Sequence, residues 1–162
     1  INDKDQYQYQ SVDPKIFLGF TSNMTYKKWN AGFVVRANVG NYMYNNVYST
    51  LGTFRAISSL ATHNGNASRN LLETGFTQNG VNQLMSDYYI QNASFLRVDN
   101  INIGYNAGKV FKDKANLRFT ANIQNAFILT KYKGLDPEIG SGIDNNFYPR
   151  PRVFALGLNL EF

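Results

Sequence analysis

Arg152-Val153-Phe154-Ala155-Leu156-Gly157-Leu158-Asn159-Leu160-Glu161-Phe162 reads as a single ribbon. Phe154, Leu156, Leu158, Leu160 and Phe162 share one parity, and Val153, Ala155, Gly157, Asn159 and Glu161 share the other. Alternate side chains of a strand point to opposite faces, so one face is wholly apolar and ends in an aromatic ring. A soluble edge strand this apolar would template aggregation. In the wall of an outer-membrane barrel the same ribbon meets lipid on one side and the lumen on the other. A terminal strand buried in a soluble sandwich is the competing reading. Four further segments of the same kind weigh against it.

Period-2 counting predicts those strands at about 15–26, 29–44, 94–105 and 116–127, with the ribbon as the fifth at 152–162. In the first, Ile16, Leu18, Phe20, Met24 and Tyr26 share a face. The second carries Trp29, Ala31, Phe33, Val35, Ala37, Val39 and Met43 on its apolar face, and the Lys27-Lys28 turn joins the two as a hairpin. The third changes phase: Leu96 and Val98 are apolar on even numbers, Ile101, Ile103 and Tyr105 on odd ones. One extra residue near Asp99-Asn100 would realign them, which predicts a β-bulge there. The fourth presents Leu117, Phe119, Ala121, Ile123 and Phe127 outward.

Charges segregate with the same parity. Arg36, Arg97, Asp99, Arg118, Arg152 and Glu161 all fall on the polar side, whose other members are chiefly Asn, Gly, Thr and Gln. A charge facing lipid at mid-bilayer costs ~2–4 kcal/mol in a barrel, so a membrane enforces such sorting. Composition agrees. Only 17% of the 162 residues are charged, yet the mean hydropathy is negative, as expected when half of every strand is polar. No run of about 18 apolar residues is present, so transmembrane helices are not expected. Cysteine is absent, which decides little about compartment. No signal peptide is read at Ile1-Asn2-Asp3-Lys4-Asp5. The net charge of +5 is scattered over turn lysines without interleaved stacking aromatics, so nucleic acid is not an expected partner.

Loop lengths suggest sidedness. The turn at Lys27-Lys28 and the one between about Asn106 and Ala115 are short, whereas Asn45 to Ala93 and about Leu129 to Arg150 are long and polar. Outer-membrane barrels have short periplasmic turns and long extracellular loops. Tyr26, Trp29 and Tyr105 then fall at the periplasmic interface, Phe162 is periplasmic, and Tyr42, Met43, Tyr44 and Tyr48 lie at or beyond the outer rim. Five strands cannot close a barrel, since the smallest have about eight, and the parity puts Ile1 outside. The chain is therefore expected to be part of a larger barrel.

Several strings carry a family resemblance. They are Asp13-Pro14-Lys15-Ile16-Phe17-Leu18-Gly19-Phe20 with Thr25-Tyr26-Lys27-Lys28-Trp29, and the whole stretch from Tyr89 to Tyr105. Asn122-Ile123-Gln124-Asn125-Ala126-Phe127 with Thr130-Lys131-Tyr132-Lys133-Gly134-Leu135-Asp136-Pro137-Glu138 is another, and Tyr148-Pro149-Arg150-Pro151-Arg152 with Phe162 closes the set. In this order and spacing the chain resembles the carboxy-terminal barrel region of SusC/RagA-type TonB-dependent transporters, over about three-quarters of its length. It departs from the pattern at Asp99, where Lys is usual, and Ala126, where Leu is usual. The resemblance implies the last five strands of a roughly 22-stranded antiparallel transmembrane β-barrel. It also implies a plug domain and TonB box that are not in this chain, and a SusD-type surface lipoprotein as lid. The expected partners are the upstream barrel and plug, that lipoprotein, TonB through the missing amino-terminal region, and outer-membrane lipid. The expected location is the outer membrane of a Gram-negative, Bacteroidetes-like cell.

No catalytic constellation, cofactor motif or metal-ligand set is found, so the chain is not expected to be an enzyme. His63 stands alone in a loop. Asp136, Glu138 and Asp144 place three carboxylates in one loop; solvated turn acids are favoured there over a Ca²⁺ site. Leu51, Phe54, Ile57 and Leu60 at helical spacing predict a short helix over Ser49 to Ala61, capped by Ser49 or Thr50. Candidates for substrate or lid contact are Tyr48, Phe54, Tyr88, Tyr89, Arg36 and Arg97; ordinary loop and lumen structure accounts for them equally. Phe154, Leu156, Leu158, Leu160 and Phe162 are expected, on the resemblance, to form the assembly signature. The function expected is import of oligosaccharides or oligopeptides through a TonB-dependent barrel. The alternatives are a TonB-dependent receptor for metal chelates or cobalamin, and a soluble all-β glycan-binding module.

Overall fold

The computed structural model describes residues 4, 6–53, 67–74, 86–145 and 148–162. They form two compact units, one comprising 16–39, 95–130 and 150–162 and the other 1–15, 40–94 and 131–149. The first is a five-stranded antiparallel sheet in the order β1-β2-β5-β6-β7. Its strands are β1 (Ile16–Tyr26), β2 (Trp29–Val39), β5 (Phe95–Val110), β6 (Ala115–Thr130) and β7 (Val153–Glu161). The second holds β3 (Tyr42–Tyr44) paired with β4 (Ile90–Asn92) and two short helices, α1 (Asn46–Leu51) and α2 (Asn70–Thr74). The fold is antiparallel β, and no described helix is long and apolar enough to cross a membrane, which says nothing of strands.

Register places like beside like. Across the sheet, Met24, Ala31, Ile103, Ala121 and Leu156 form one cross-strand row, and Phe33, Ile101, Ile123 and Phe154 another. Side chains directly opposite are neighbours on one face, so the sheet presents one continuous apolar surface. It is exposed on all five strands, with Phe20 61%, Trp29 50%, Ile103 44%, Phe119 43% and Leu156 89% accessible. The rings of Trp29 and Tyr105, 4.6 Å apart between centroids, close this surface at the end of the Lys27-Lys28 turn.

Asp99 is the extra residue that the phase change requires. Val35 pairs with Val98 and Val34 with Asn100, so Asp99 has no partner on β2; on β6, Val98 meets Phe127 and Asn100 meets Gln124. A one-residue slip moves every side chain to the other face. The bulge therefore returns Ile101, Ile103 and Tyr105 to the apolar side.

Three boundaries differ from those the periodicity predicts. The predicted 29–44 strand stops at Val39, because Gly40 takes φ +85° and Lys15 methylenes lie 3.1 Å from where a Cβ would sit. Met43 keeps the parity of Val39 by coincidence. It is buried against Ala93 and Tyr132 rather than facing outward. β5 and β6 are longer than predicted, because their turn is only Phe111–Lys114, with Phe111, Lys112 and Asp113 all left-handed. A second bulge at Ala107, with Gly108 at φ +89°, lets both strands continue.

The described end of the predicted helix differs: a helix begins upstream of Ser49, and Gly52 and Thr53 are not helical. α1 starts after Asn45, whose side-chain oxygen accepts from the Tyr48 N–H at 3.0 Å, while Ser49 and Thr50 sit within the helix and bond back to the Asn46 carbonyl. Asn is among the strongest N-caps because its short amide reaches the orphan first-turn donors. Phe54, Ile57, Leu60 and His63 fall outside the described residues.

Candidate functional site

The polar face of the sheet is built from amides laid over glycines. Asn30, Gly104, Thr120 and Gly157 form one cross-strand row, and Asn23, Gly32, Asn102 and Asn122 the next. A Cβ on Gly32 would meet the Asn23 side-chain oxygen at 2.5 Å, and one on Gly104 would meet that of Asn30 at 2.3 Å. Glycine there leaves room for the neighbouring amide to lie flat on the sheet. Asn100 and Asn122 exchange amide hydrogen bonds at 3.3 Å, and Asn102 donates to Asn100 at the same distance. Near the Val39 end the face is less polar, with Phe17, Phe95 and Ile128 on this side.

Arg36 and Arg97 meet at the Asp99 bulge. Arg36 grips Asp99 in a fork, Nε to Oδ2 at 2.5 Å and Nη2 to Oδ1 at 3.0 Å, the geometry that makes guanidinium–carboxylate pairs strong. Arg97 is buried, 3% accessible, with Nη1 donating to Asn125 Oδ1 at 2.8 Å and its guanidinium over the Phe95 ring. Asn125, at φ +52°, turns its amide nitrogen to the Arg150 carbonyl at 2.8 Å. Arg97 thus acts as a buttress holding the start of β7, which removes it as a surface contact. Arg36 remains partly exposed on the polar face of the sheet.

In the other unit, Tyr48, Glu73, Tyr88, Gln91, Asn92, Lys131 and Lys133 line a cavity of about 290 Å³. Tyr88 is exposed and Tyr48 half-buried. Tyr89, beside Tyr88 in sequence, is wholly buried, the two rings packed edge to face at 5.1 Å between centroids. Burial pushes its phenol pKa up. It is part of the core of this unit.

The carboxylate trio also resolves differently from a set of solvated turn acids. Asp144 is wholly buried and accepts from the Tyr132 hydroxyl at 2.8 Å, while its backbone N–H pairs with Tyr44. Asp136 is buried and accepts from the backbone N–H of Glu138, closing an Asx turn. Sequence spacing could not show this, because what buries Asp144 is β3, about a hundred residues away. Burial and the Asp144 contact hold the Tyr132 phenol well above its ordinary pKa. Among the described residues no three His, Cys, Asp or Glu side chains gather as a metal site.

Comparisons with known proteins follow this geometry. The chain is 40% identical over its whole length to the TonB-dependent receptor SusC of Bacteroides thetaiotaomicron, spanning 16% of that protein. It is 28% identical to the TonB-dependent receptor P3 of Formosa agariphila, over 92% of this chain and 16% of that one. The structure superposes on the RagAB peptide transporter with a TM-score of 0.74 at 24% identity, covering 97% of this chain and 19% of that one. That likeness shows a shared fold. No family model matches the chain. The chain therefore spans less than a fifth of the proteins it matches.

Proposed function

Because this chain belongs to the SusC/RagA-type TonB-dependent receptors, we propose that it forms part of the barrel wall of an outer-membrane importer. The observation that carries this reading is the sorting of the two faces. One is continuous exposed hydrocarbon suited to lipid; the other is amide, hydroxyl and charge suited to a wet lumen. The relatives are receptors and transporters. The sequence resemblance to the SusC/RagA type suggests an oligosaccharide or an oligopeptide as cargo and a SusD-type lipoprotein as lid, and the RagAB structure is that of a peptide transporter. Partly exposed Arg36 faces the lumen in this reading. Tyr48 and Tyr88, on the segments between β2 and β5, form a stacking and hydrogen-bonding surface for cargo or lid.

Sidedness can be tested cleanly because the chain has no cysteine of its own. Leu72 is 86% accessible on the long segment, and Lys112 is exposed in the four-residue turn. In the complete transporter on intact cells, Leu72→Cys should react with a membrane-impermeant maleimide, and Lys112→Cys should react only after permeabilisation. Labelling of Lys112→Cys alone would reverse the proposed orientation.

The row Phe154, Leu156, Leu158, Leu160 and Phe162 is the proposed assembly signature. Its large side chains stand free along the β7 edge, which has no partner among the described residues. Phe162→Asp should lower assembled barrel severalfold more than Leu158→Val, which removes about one methylene facing lipid (~0.8 kcal/mol). Equal yields of heat-modifiable barrel from the two variants would remove Phe162 from that role.

A further inference from the structure

The apolar face of the sheet is not smooth. Tyr26, Trp29, Tyr105, Phe119 and Leu158 make one cross-strand row, with four aromatics in succession. The next row, Met24, Ala31, Ile103, Ala121 and Leu156, alternates large with small. Where Ala121 sits low between Ile103 and Leu156, the surface opens into a groove of about 450 Å³. Trp29, Tyr105 and Phe119 wall it at the short-turn end, the Trp29 and Tyr105 rings tilted 47° to one another. All six side chains share the parity of the exposed hydrocarbon. A hydrocarbon chain lying there meets carbon on three sides, and dispersion attraction grows with the number of close atom pairs. Tyr26 pairs directly with Trp29, and the Lys27 ammonium stands over the Tyr26 ring, 5.3 Å from its centroid. A cation therefore flanks the walled end of the groove.

We propose that this groove seats a phospholipid of the periplasmic leaflet, one acyl chain lying over Ala121 and its phosphate pairing with Lys27. The inference rests on the barrel-wall reading above and on its placement of the Lys27-Lys28 turn at the periplasmic interface. Trp and Tyr favour the depth where hydrocarbon gives way to headgroups, so the aromatic row marks that depth and Lys27 lies just beyond it. The parts then follow the order of a lipid, with carbon toward the bilayer centre and a positive charge where the phosphate falls. A flat apolar wall holds lipid by area alone and exchanges it freely. A groove walled on three sides, with a charge at one end, holds one molecule in one place. Ligands of the lumen are disfavoured because Ile103, Phe119 and Ala121 stand on the face opposite Asn102 and Asn122.

The experiment uses the complete transporter, purified in detergent, stripped of endogenous lipid and titrated with dioleoylphosphatidylglycerol. Native mass spectrometry should show one lipid bound ahead of all others. Its apparent affinity should fall about tenfold in Ala121→Trp, which fills the groove, the equivalent of about two methylenes shut out. Lys27 has φ +53°, a conformation that asparagine tolerates. Lys27→Asn should weaken binding about fivefold, the worth of one cation near an anionic headgroup. Dioleoylglycerol, with the same chains and no phosphate, should bind the wild type more weakly by about that factor. Leu18→Trp, on the apolar face of β1 outside the groove, should leave the affinity unchanged. Binding of several lipids with no first one, or an affinity indifferent to Ala121→Trp or to Lys27→Asn, would overturn the proposal. So would a preference for added lipopolysaccharide, or loss of the lipid when two copies associate. Heat-modifiable migration of each variant reports separately whether the barrel has formed, so failure of the wall reading and failure of the lipid seat are told apart.

Discussion

Val35→Arg and Phe119→Arg, each in the complete transporter, should sharply reduce assembled barrel, while Asn122→Arg and Gln124→Arg leave it near wild type. Val35 lies between Phe20 and Val98, and Phe119 between Tyr105 and Leu158, all on the apolar surface. A guanidinium there faces hydrocarbon and costs ~2–4 kcal/mol, which falls as the position approaches the headgroups. On the other face Asn122 and Gln124 flank Ile123 on the same strand as Phe119, so the strand context is similar. Only the face differs. The measurement is the heat-modifiable fraction in purified outer membranes. Equal losses in both sets would mean that both faces are buried in protein, as in a soluble sandwich, and the membrane reading would fail.

Tyr132→Phe should loosen the loop unit by ~1–3 kcal/mol although it removes only one oxygen. The hydroxyl donates to Asp144, and a buried carboxylate that loses a donor bears the desolvation penalty of the missing bond. Gly134→Ala should act on the same pair from the other side. Its Cβ would fall 2.3 Å from both Asp144 Oδ2 and the Tyr132 ring, and such overpacking costs ~1–3 kcal/mol. Limited proteolysis of the assembled transporter, scored at the long segments, should show faster cleavage in both variants with the barrel intact. The pH dependence has a definite sign. The Tyr132 pKa is raised in the folded chain, so its contribution is complete below the unfolded phenol value of ~10 and is lost as pH rises above it. Alkaline pH should therefore bring the wild type toward Tyr132→Phe and leave the variant less changed. Cleavage that is independent of Tyr132 would show that the unit is held by other contacts.

The readable parts of this protein are those where one residue's neighbours in sequence decide its environment. Alternation in Ile16–Tyr26 and Val153–Glu161 shows in a few residues, because a pleat sends consecutive side chains to opposite solvents and the two solvents here differ strongly. The Asp99 bulge was legible for the same reason, since the phase error of Leu96 and Val98 against Ile101 and Ile103 has one local cure. The end of β2 was not legible. Gly40 breaks the strand, yet Met43 retains the parity of Val39, so the pattern continues through a real boundary. Among the candidate contacts, Tyr88 and Tyr89 are indistinguishable by composition, and only the backbone turn at Asp87–Tyr89 sends one out and the other into the core.

Sequence by itself determined the antiparallel strands, the sorting of their faces and the bulge that preserves it, because these follow from a period of two and a local free-energy difference between lipid and water. The tertiary structure alone decided the long-range pairings: Asp144 buried under Tyr132, and Arg97 tied to Asn125, which in turn holds the Arg150 carbonyl. Each depends on which residues of distant strands face one another. Register is a property of two strands together, set by the fit of whole faces, and no window along one strand contains it.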